Sequence, residues 1–197
     1  MATSGIGSPD LTAAGLRLVV PSDSWYSPKI AVRPSPLHGL GTFALERIEQ
    51  DEVVEIWGER TDGRLTVIYT SDRRAVETAR SEGKAVMQWD DDLFSIEEKG
   101  ADEGYFLNHS CDANLWLRDA FTLVARRPIE PYQELTIDYA LFESEPSLIA
   151  ISLCLCNSAV CRGMVTGRDW QNVDLQVRYA GHFSPLIEKL IARTRSG

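Results

Sequence analysis

Hydrophobic and polar residues alternate over several short stretches of the chain, which is the pattern of half-buried β-strands. Turn residues such as Gly, Pro and Asp separate these stretches. The pattern predicts strands at residues 29–33, 51–57, 66–69, 87–89, 93–96, 115–117, 121–125 and 134–139. Many short strands with few helices indicate a mostly β domain with short helices.

Three other segments space their apolar residues as a helix does. The first helix is predicted at 72–82, with Ser71 as its N-cap and Gly83 as its end. The second is predicted at 169–179, capped by its first residue. The third opens at 184–185, where a proline occupies the first turn. Its apolar stripe consists of Leu186, Ile187, Leu190 and Ile191.

These patterns divide the chain into four regions. Residues 1–28 are rich in Ser, Gly, Thr and Pro and are predicted to be an N-terminal extension, with a short strand possible at its apolar end. A β-rich body is predicted at 29–145, a cysteine-bearing segment at 146–168 and a helical tail at 169–197. With 197 residues, 44% of them hydrophobic, the chain can bury one sizeable core.

The charge balance narrows the possible partners. The chain has 29 acidic and 20 basic residues, and its net charge of −9 argues against direct nucleic-acid binding. A basic protein partner fits this balance, although an acidic chain often has no such partner. We expect no membrane association and an intracellular, cytoplasmic location (nuclear in a eukaryote), because neither a long apolar stretch nor a secretory signal is visible.

The four cysteines are candidate metal ligands. Cys154, Cys156 and Cys161 lie in one short run, and Cys111 lies far upstream. In a reducing compartment, four thiolates favour a tetrahedral zinc site over disulfides. Free thiols and disulfides remain the alternatives. A shared zinc ion would bring the segment around Cys111 beside the C-terminal cysteine run.

Four strings follow one another along the chain: H-G-L-G-T-F-A (38–44), Y-F-L-N-H-S-C-D-A-N (105–114), E-L-T-I-D-Y (134–139) and C-L-C-N-S-A-V-C-R-G (154–163). In this order they resemble the SET-domain protein lysine methyltransferases with a post-SET zinc motif, over about residues 29–165. The size is similar to that of small stand-alone members, many of them bacterial. The resemblance implies small curled β-sheets, with segments 105–114 and 134–139 meeting in a pseudoknot-like crossing.

The resemblance also implies S-adenosylmethionine as methyl donor. The glycines of the first string would let backbone pass close to the cofactor, because they have no Cβ. A closed four-cysteine zinc site would clamp the post-SET segment over the substrate channel and would not catalyse. The residues expected to bind the cofactor are His38, Gly39, Leu40, Gly41, Tyr105, Asn108, His109, Tyr139 and Met164.

Tyr139 is the expected catalytic residue. A free lysine amine has a pKa of about 10.4 and must lose its proton before it can attack a methyl group. A narrow, water-poor channel beside a positive sulfonium lowers that pKa. A phenol hydroxyl can then align the amine without acting as a strong base. Asp138 is expected to be a structural neighbour of this tyrosine.

Ile137, Ile56 and Trp170 are the expected substrate-channel residues. The two isoleucines stand where the family usually has aromatic residues, and Tyr105 stands where it usually has arginine. These departures leave a catalytically weak cofactor- or peptide-binding module, or a methyltransferase for small-molecule amines, as alternatives to a protein-lysine methyltransferase.

The partner expected from the resemblance is a lysine-containing protein, either a histone or another basic protein. The acidic stretch from Asp90 to Glu103 could dock a basic peptide or could simply be a solvated hairpin and loop. The helical tail could bind a partner or form a homodimer contact.

Overall fold

The computed structural model describes residues 18–58, 67–98 and 103–195. Short strands dominate this part of the chain, as the alternation predicts. The strands are β1 (Trp25–Tyr26), β2 (Ile30–Pro34), β3 (Leu40–Ala44), β4 (Val53–Ile56), β5 (Ile68–Thr70), β6 (Ala85–Asp90), β7 (Leu93–Glu97), β8 (Asn108–His109), β9 (Leu115–Leu117), β10 (Thr122–Ala125), β11 (Glu134–Ile137), β12 (Ile149–Ile151) and β13 (Val165–Thr166). The α-helices are α1 (Arg73–Ser81), α2 (Val173–Arg178) and α3 (Pro185–Arg195), and single 3-10 turns span Glu103–Phe106, Tyr139–Leu141 and Asp169–Gln171.

The strands form small separate sheets rather than one continuous sheet. Two sheets have four strands, in the orders β1-β4-β10-β9 and β2-β3-β11-β8. A third has the order β5-β7-β6, and β12 pairs with β13. Almost all neighbours are antiparallel, but β8 pairs with β11 in parallel, with Asn108 opposite Thr136 and His109 opposite Ile137. The second and third motif strings therefore meet, as expected.

The main core joins the sheets to the C-terminal helices. Leu115, Leu123 and Leu135 from the sheets lie in the same buried cluster as Tyr179 and Ile187 from the helical region. Each fully buried side chain of this kind contributes about 1.5–3 kcal/mol to the free energy of folding. The helical tail is therefore packed into the body of the molecule and is not a separate unit.

Most predicted elements are present with shifted boundaries. The hairpin of β6 and β7 and the hairpin of β9 and β10 lie where the alternation places them. Helix α1 is capped by Asp72, whose carboxylate accepts the Arg74 N–H at 2.9 Å, instead of by Ser71. Helix α2 is capped by Asn172, because Asp169 starts a separate 3-10 turn. Helix α3 begins at Pro185, as predicted. The possible strand at 16–20 is not formed at 18–20, and its first two residues lie outside the described part.

One strand prediction was wrong at its end, and the error affects the site. The strand expected at 134–139 ends at Ile137, because the Asp138 carboxylate accepts the Ala140 N–H at 3.1 Å and begins a 3-10 turn. The glycine-rich first string contains β3, which the alternation did not predict and which lies between β2 and β11 in its sheet.

The acidic turn between β6 and β7 is neutralised by cations of the same chain. Lys189 of α3 bonds Asp90 at 2.6 Å, and Arg193 of α3 bonds Asp91 at 2.7 Å. Arg73 of α1 bonds Asp92 at 2.9 Å. These pairs use the charges that a basic peptide would need, so this turn does not support the peptide-docking hypothesis. None of the helices in the described ranges is long and apolar enough to span a membrane.

Candidate active site

Two cavities lie on either side of Tyr105. The larger has a volume of about 600 Å³, which is within the range of small-molecule sites. Its walls are the 37–40 loop, the 105–109 segment, Tyr139 and the 150–156 segment. The smaller has a volume of about 70 Å³, enough for the end of one side chain. Its lining residues are Ser24, Tyr26, Trp57, Gly58, Val67, Tyr69, Met87, Trp89, Ser95, Glu97 and Tyr105.

The loop on one wall of the large cavity is held from behind by polar contacts. The Asn108 side-chain amide lies 2.9 Å from the Leu40 carbonyl oxygen, 3.2 Å from the His38 carbonyl oxygen and 2.7 Å from Glu134 Oε1. The Ser35 hydroxyl donates to the same carboxylate at 2.7 Å. These contacts fix the loop against β11. The Asn108 amide is therefore turned towards the loop backbone and not into the cavity.

Two glycines at this wall, one in the loop and one in β3, are required for different reasons. Gly39 has a φ of 47°, a left-handed conformation that side chains other than glycine rarely adopt. A Cβ on Gly41 would lie 2.2 Å from Glu134 Oε1 and 2.9 Å from the Asn108 amide nitrogen. Gly41 therefore makes room for the polar contacts behind the loop, whereas the expectation was that it made room for cofactor.

Tyr139 is placed at the cavity wall by the turn that follows β11. Its hydroxyl donates to the Leu107 carbonyl oxygen at 3.1 Å. Burial raises the pKa of the phenol to about 12. The hydroxyl is therefore neutral near pH 7, so that it can orient a polar group but is not a base.

His109 connects Tyr139 to the cysteines. The Tyr139 N–H donates to His109 Nδ1 at 3.3 Å, so the ring proton is assigned to Nε2, which lies 3.2 Å from Cys111 Sγ. Burial lowers the pKa of this imidazole to about 4, so the ring is neutral. The imidazole is 0% exposed and makes its polar contacts with protein groups, although the residue borders the cavity.

The four cysteines converge at the far end of the large cavity. Their sulfur atoms all lie within 4.8 Å of one another, and Cys111 Sγ lies 4.0 Å from Cys154 Sγ. Zinc–sulfur bonds of about 2.3 Å would put tetrahedral sulfurs about 3.8 Å apart, so the donor set fits Zn²⁺. The Arg162 N–H donates to Cys111 Sγ at 3.3 Å, and hydrogen bonds with Ser158 overcome burial and lower the pKa of Cys156 to about 6.

A buried ion pair locks the cysteine segment to the tyrosine turn. Arg162 donates two hydrogen bonds of 2.7 Å to the Asp138 carboxylate, and one of 2.8 Å to Asp169. The Asp138 side chain is fully buried and also accepts the Tyr179 hydroxyl at 3.3 Å. The residue before Tyr139 is thus the structural neighbour that was expected, and it anchors the post-cysteine segment as well.

A row of aromatic rings runs from Tyr139 to the small cavity. Tyr139 packs against Phe142 with ring centroids 5.6 Å apart, and Phe142 packs against Trp57 at 6.0 Å. Trp57 in turn contacts Trp89 at 6.0 Å. Trp57 and Trp89 both line the small cavity, so packed rings separate this cavity from Tyr139, which lines the large one.

The structure brings together most of the residues predicted to bind the cofactor. Those that line the large cavity are His38, Gly39, Leu40, Tyr105, Asn108, His109 and Tyr139. Gly41 lies behind the loop, and Met164 is exposed and outside both cavities. Which of them touch the cofactor stays a prediction.

The predicted substrate-channel residues line neither cavity. Ile137 and Trp170 are buried in the main core, and Ile56 pairs with Trp25 and Thr122 across its sheet. The two isoleucines thus lie in the core and in a sheet, away from both cavities. The aromatic walls come instead from residues that the strings do not contain, chiefly Trp57 and Trp89. Their only signal in the sequence is their place at the ends of predicted strands.

Comparison with known proteins agrees with this architecture. The SET domain family matches residues 39–140, which is about half of the chain and includes two of the four strings and all but the first residue of another. The chain therefore belongs to the SET domain family. The crystal structure of the methyltransferase domain of human histone-lysine N-methyltransferase SETMAR has the same fold. It superimposes with a TM-score of 0.50 over 68% of this chain and 56% of that chain, at 18% identity.

Curated relatives are much longer proteins. Histone-lysine N-methyltransferase TRX1 of Oryza sativa is 26% identical over 76% of this chain and 15% of its own length. The "Histone-lysine N-methyltransferase, H3 lysine-4 specific" of Schizosaccharomyces pombe is 33% identical over 66% of this chain and 14% of its own length. The chain thus spans about one seventh of the length of each of these relatives.

Proposed function

We propose that this protein transfers a methyl group from S-adenosylmethionine to the ε-amine of a lysine in a protein. The observation that carries the proposal is the position of Tyr139. Its hydroxyl lies at the wall of a cofactor-sized cavity, and a row of aromatic rings links it to a second cavity that fits one side chain. A donor and an acceptor that meet in the large cavity would lie beside this hydroxyl.

Methyl transfer to an amine requires little from the protein beyond alignment of the two reactants. S-adenosylmethionine would supply a methyl group on a positively charged sulfur. The neutral amine forms the new N–C bond while the C–S bond breaks, and the electron pair stays on sulfur. The Tyr139 hydroxyl and the Leu107 carbonyl oxygen can hold the amine in line. The aromatic walls exclude water and disfavour the protonated amine.

We further propose that Cys111, Cys154, Cys156 and Cys161 hold one structural Zn²⁺. Four thiolates leave no open position for substrate, so the metal would shape the site and not react. The donor set, the Arg162 N–H at Cys111 and the contact of His109 with the same sulfur support this assignment. The ion would then tie the 150–156 wall of the cavity to the tyrosine turn.

The relatives suggest the class of substrate. Their names describe histone-lysine methyltransferases, one of them specific for lysine 4 of histone H3. A histone or another basic protein is therefore the substrate that we propose, with a nuclear location in a eukaryotic host. Self-association through the helical tail stays a prediction.

The proposal is tested by incubating the purified protein with radiolabelled S-adenosylmethionine and either histones or a cell lysate. Label should appear on a protein band, and Tyr139→Phe should reduce the rate about 100-fold through loss of a preorganised hydrogen bond at the reacting amine. Tyr132→Phe is the matched control, because Tyr132 is 72% exposed and lines neither cavity. Cofactor binding by calorimetry without labelling would favour a binding module; label on a free amine only would favour a small-molecule acceptor.

A further inference from the structure

The C-terminal tail contacts the turn that carries Tyr139 at both of its ends. At the start of the turn, the Tyr179 hydroxyl donates to Asp138 Oδ2 at 3.3 Å. At its end, the Ser184 N–H donates to the Leu141 carbonyl oxygen at 2.8 Å. The match to the SET domain family ends at residue 140, so both donors lie beyond the matched residues.

The Tyr179 side chain is fixed in place by its neighbours. It is fully buried at the end of α2. Its ring packs edge-on against Phe183 with centroids 6.2 Å apart, and the guanidinium carbons of Arg126 and Arg178 lie 5.8 and 5.9 Å from its centroid. A ring that is held in this way gives its hydroxyl a fixed direction.

The Tyr179 hydroxyl shares its acceptor with the turn itself. Burial and the charge of Asp138 raise the pKa of the Tyr179 phenol to about 12, so the hydroxyl keeps its proton and donates it. The Asp138 carboxylate also accepts two hydrogen bonds from Arg162, and its Oδ1 accepts the Ala140 N–H that begins the turn. The tail and the cysteine segment therefore hold one carboxylate, and that carboxylate holds the turn.

We infer that Tyr179 is a positioning residue for methyl transfer: through Asp138 it sets the direction in which the turn presents the Tyr139 hydroxyl to the large cavity. The inference rests on the proposed function for the reaction that Tyr139 serves. Tyr179 lines neither cavity, so it acts through the turn and not on substrate or cofactor. Reacting groups must be held to within about 0.5 Å, and a buried hydrogen bond behind the turn supplies such a restraint.

The apolar residues of the tail have a different role. Leu175 of α2 and Ile187 of α3 are buried in the main core together with Tyr179, but they bring no polar side chain to the turn. Their packing stabilises the whole molecule. A change at Ile187 should therefore lower stability alone, whereas loss of the Tyr179 hydroxyl should loosen the turn.

The test compares Tyr179→Phe with Ile187→Val in the whole protein. Tyr179→Phe removes the hydroxyl and keeps the ring that fills the core. It should lower kcat about tenfold and leave KM for the lysine substrate and the Kd for S-adenosylmethionine unchanged, because alignment is lost and binding is not. Ile187→Val shortens a fully buried side chain of the same tail, so it should lower the melting temperature and keep the wild-type kcat.

Hydrogen exchange followed by NMR reports on the turn without requiring activity. The reference is the Ile129 amide, which is buried in the core and donates to the Ile48 carbonyl oxygen at 2.9 Å. In Tyr179→Phe, the Ala140 amide should lose protection relative to this reference, because its acceptor is held less firmly. In Ile187→Val, the two amides should lose protection together.

The inference is overturned by a Tyr179→Phe variant that keeps the wild-type kcat, or by an Ile187→Val variant that loses as much of it. Unchanged protection at Ala140 in Tyr179→Phe would also overturn it, because the hydroxyl would then not act through the carboxylate.

Two further outcomes keep the inference separate from its surroundings. If Tyr179→Phe does not fold, exchange in the wild type at increasing urea decides: the Ala140 and Tyr179 amides should open in one step, and a turn that opens while the tail stays closed would overturn the inference. If the wild type methylates no protein, the proposed function fails, and lost protection at Ala140 would still show that Tyr179 holds the turn.

Discussion

At the scale of single residues, the large cavity depends on polar contacts behind its wall. Glu134 accepts hydrogen bonds from Ser35 and Asn108 and so holds the backbone of the 37–40 loop at the cavity wall. Gly41 is needed because this carboxylate occupies the space where a Cβ would be. The shape of the large cavity is thus set by packing behind the loop as much as by residues in it.

Gly41→Ala tests this interpretation. The added methyl group must displace the Glu134 carboxylate or the strand, so the free energy of unfolding should fall by about 1–3 kcal/mol, as in other overpacked sites. Urea denaturation measures the loss, and calorimetry should show weaker binding of S-adenosylmethionine.

A double-mutant cycle supplies the control. In a Glu134→Ala background the same glycine change should cost clearly less, because the clashing oxygen is gone. An equal cost in both backgrounds would show that Gly41 is required for its backbone and not for the contact with Glu134.

At the scale of elements, the important unit is the turn that carries Tyr139. The alternating string E-L-T-I-D-Y predicts a strand through Tyr139, but the strand stops two residues earlier. Alternation cannot reveal this, because a buried aspartate that caps a turn looks the same in the sequence as a polar strand residue. The ion pair between Asp138 and Arg162 holds this turn in place, and it joins parts of the chain that are distant in sequence.

Arg162→Met should therefore be strongly destabilising. It leaves the fully buried Asp138 carboxylate without its cation, and the expected loss in the free energy of unfolding is about 3–5 kcal/mol. Arg168→Met is the matched control, because Arg168 is exposed and its guanidinium donates to the Pro146 carbonyl oxygen at 3.0 Å rather than to a buried carboxylate.

A second change separates charge from packing. Adding Asp138→Asn to Arg162→Met removes the buried charge and keeps a side-chain oxygen for the Ala140 N–H, so denaturation should show partial recovery of stability. If the double variant is no more stable than Arg162→Met, the loss comes from packing and not from the uncompensated carboxylate.

At the scale of the whole molecule, three distant segments meet at one place. The parallel pair of β8 and β11 brings Asn108 and His109 beside Tyr139, and the cysteines bring residues 154–161 to the same end. The cysteines predict the second meeting by their chemistry, and the resemblance to SET-domain proteins implies the first. The aromatic residues Trp57 and Trp89 carry no such signature, so only the folded structure shows that they line a cavity.

Removal of zinc tests the long-range link. The native protein should contain one zinc ion per chain by mass spectrometry. Chelation should lower the melting temperature and speed hydrogen exchange in residues 150–163 and in the Tyr139 turn, because folding of the lobe is coupled to the metal. The chelator already saturated with zinc is the control. Absence of zinc, with unchanged exchange after chelation, would contradict the four-cysteine site.

The central claim is methyl transfer to a lysine amine beside Tyr139, and tandem mass spectrometry tests it most directly. A protein substrate is incubated with S-adenosylmethionine and the enzyme, digested and sequenced. The account predicts methyl groups on lysine side chains, nearly absent with Tyr139→Phe and retained with Tyr132→Phe. Bound S-adenosylmethionine with no methylated lysine in any substrate, or methylation that survives Tyr139→Phe unchanged, would contradict it.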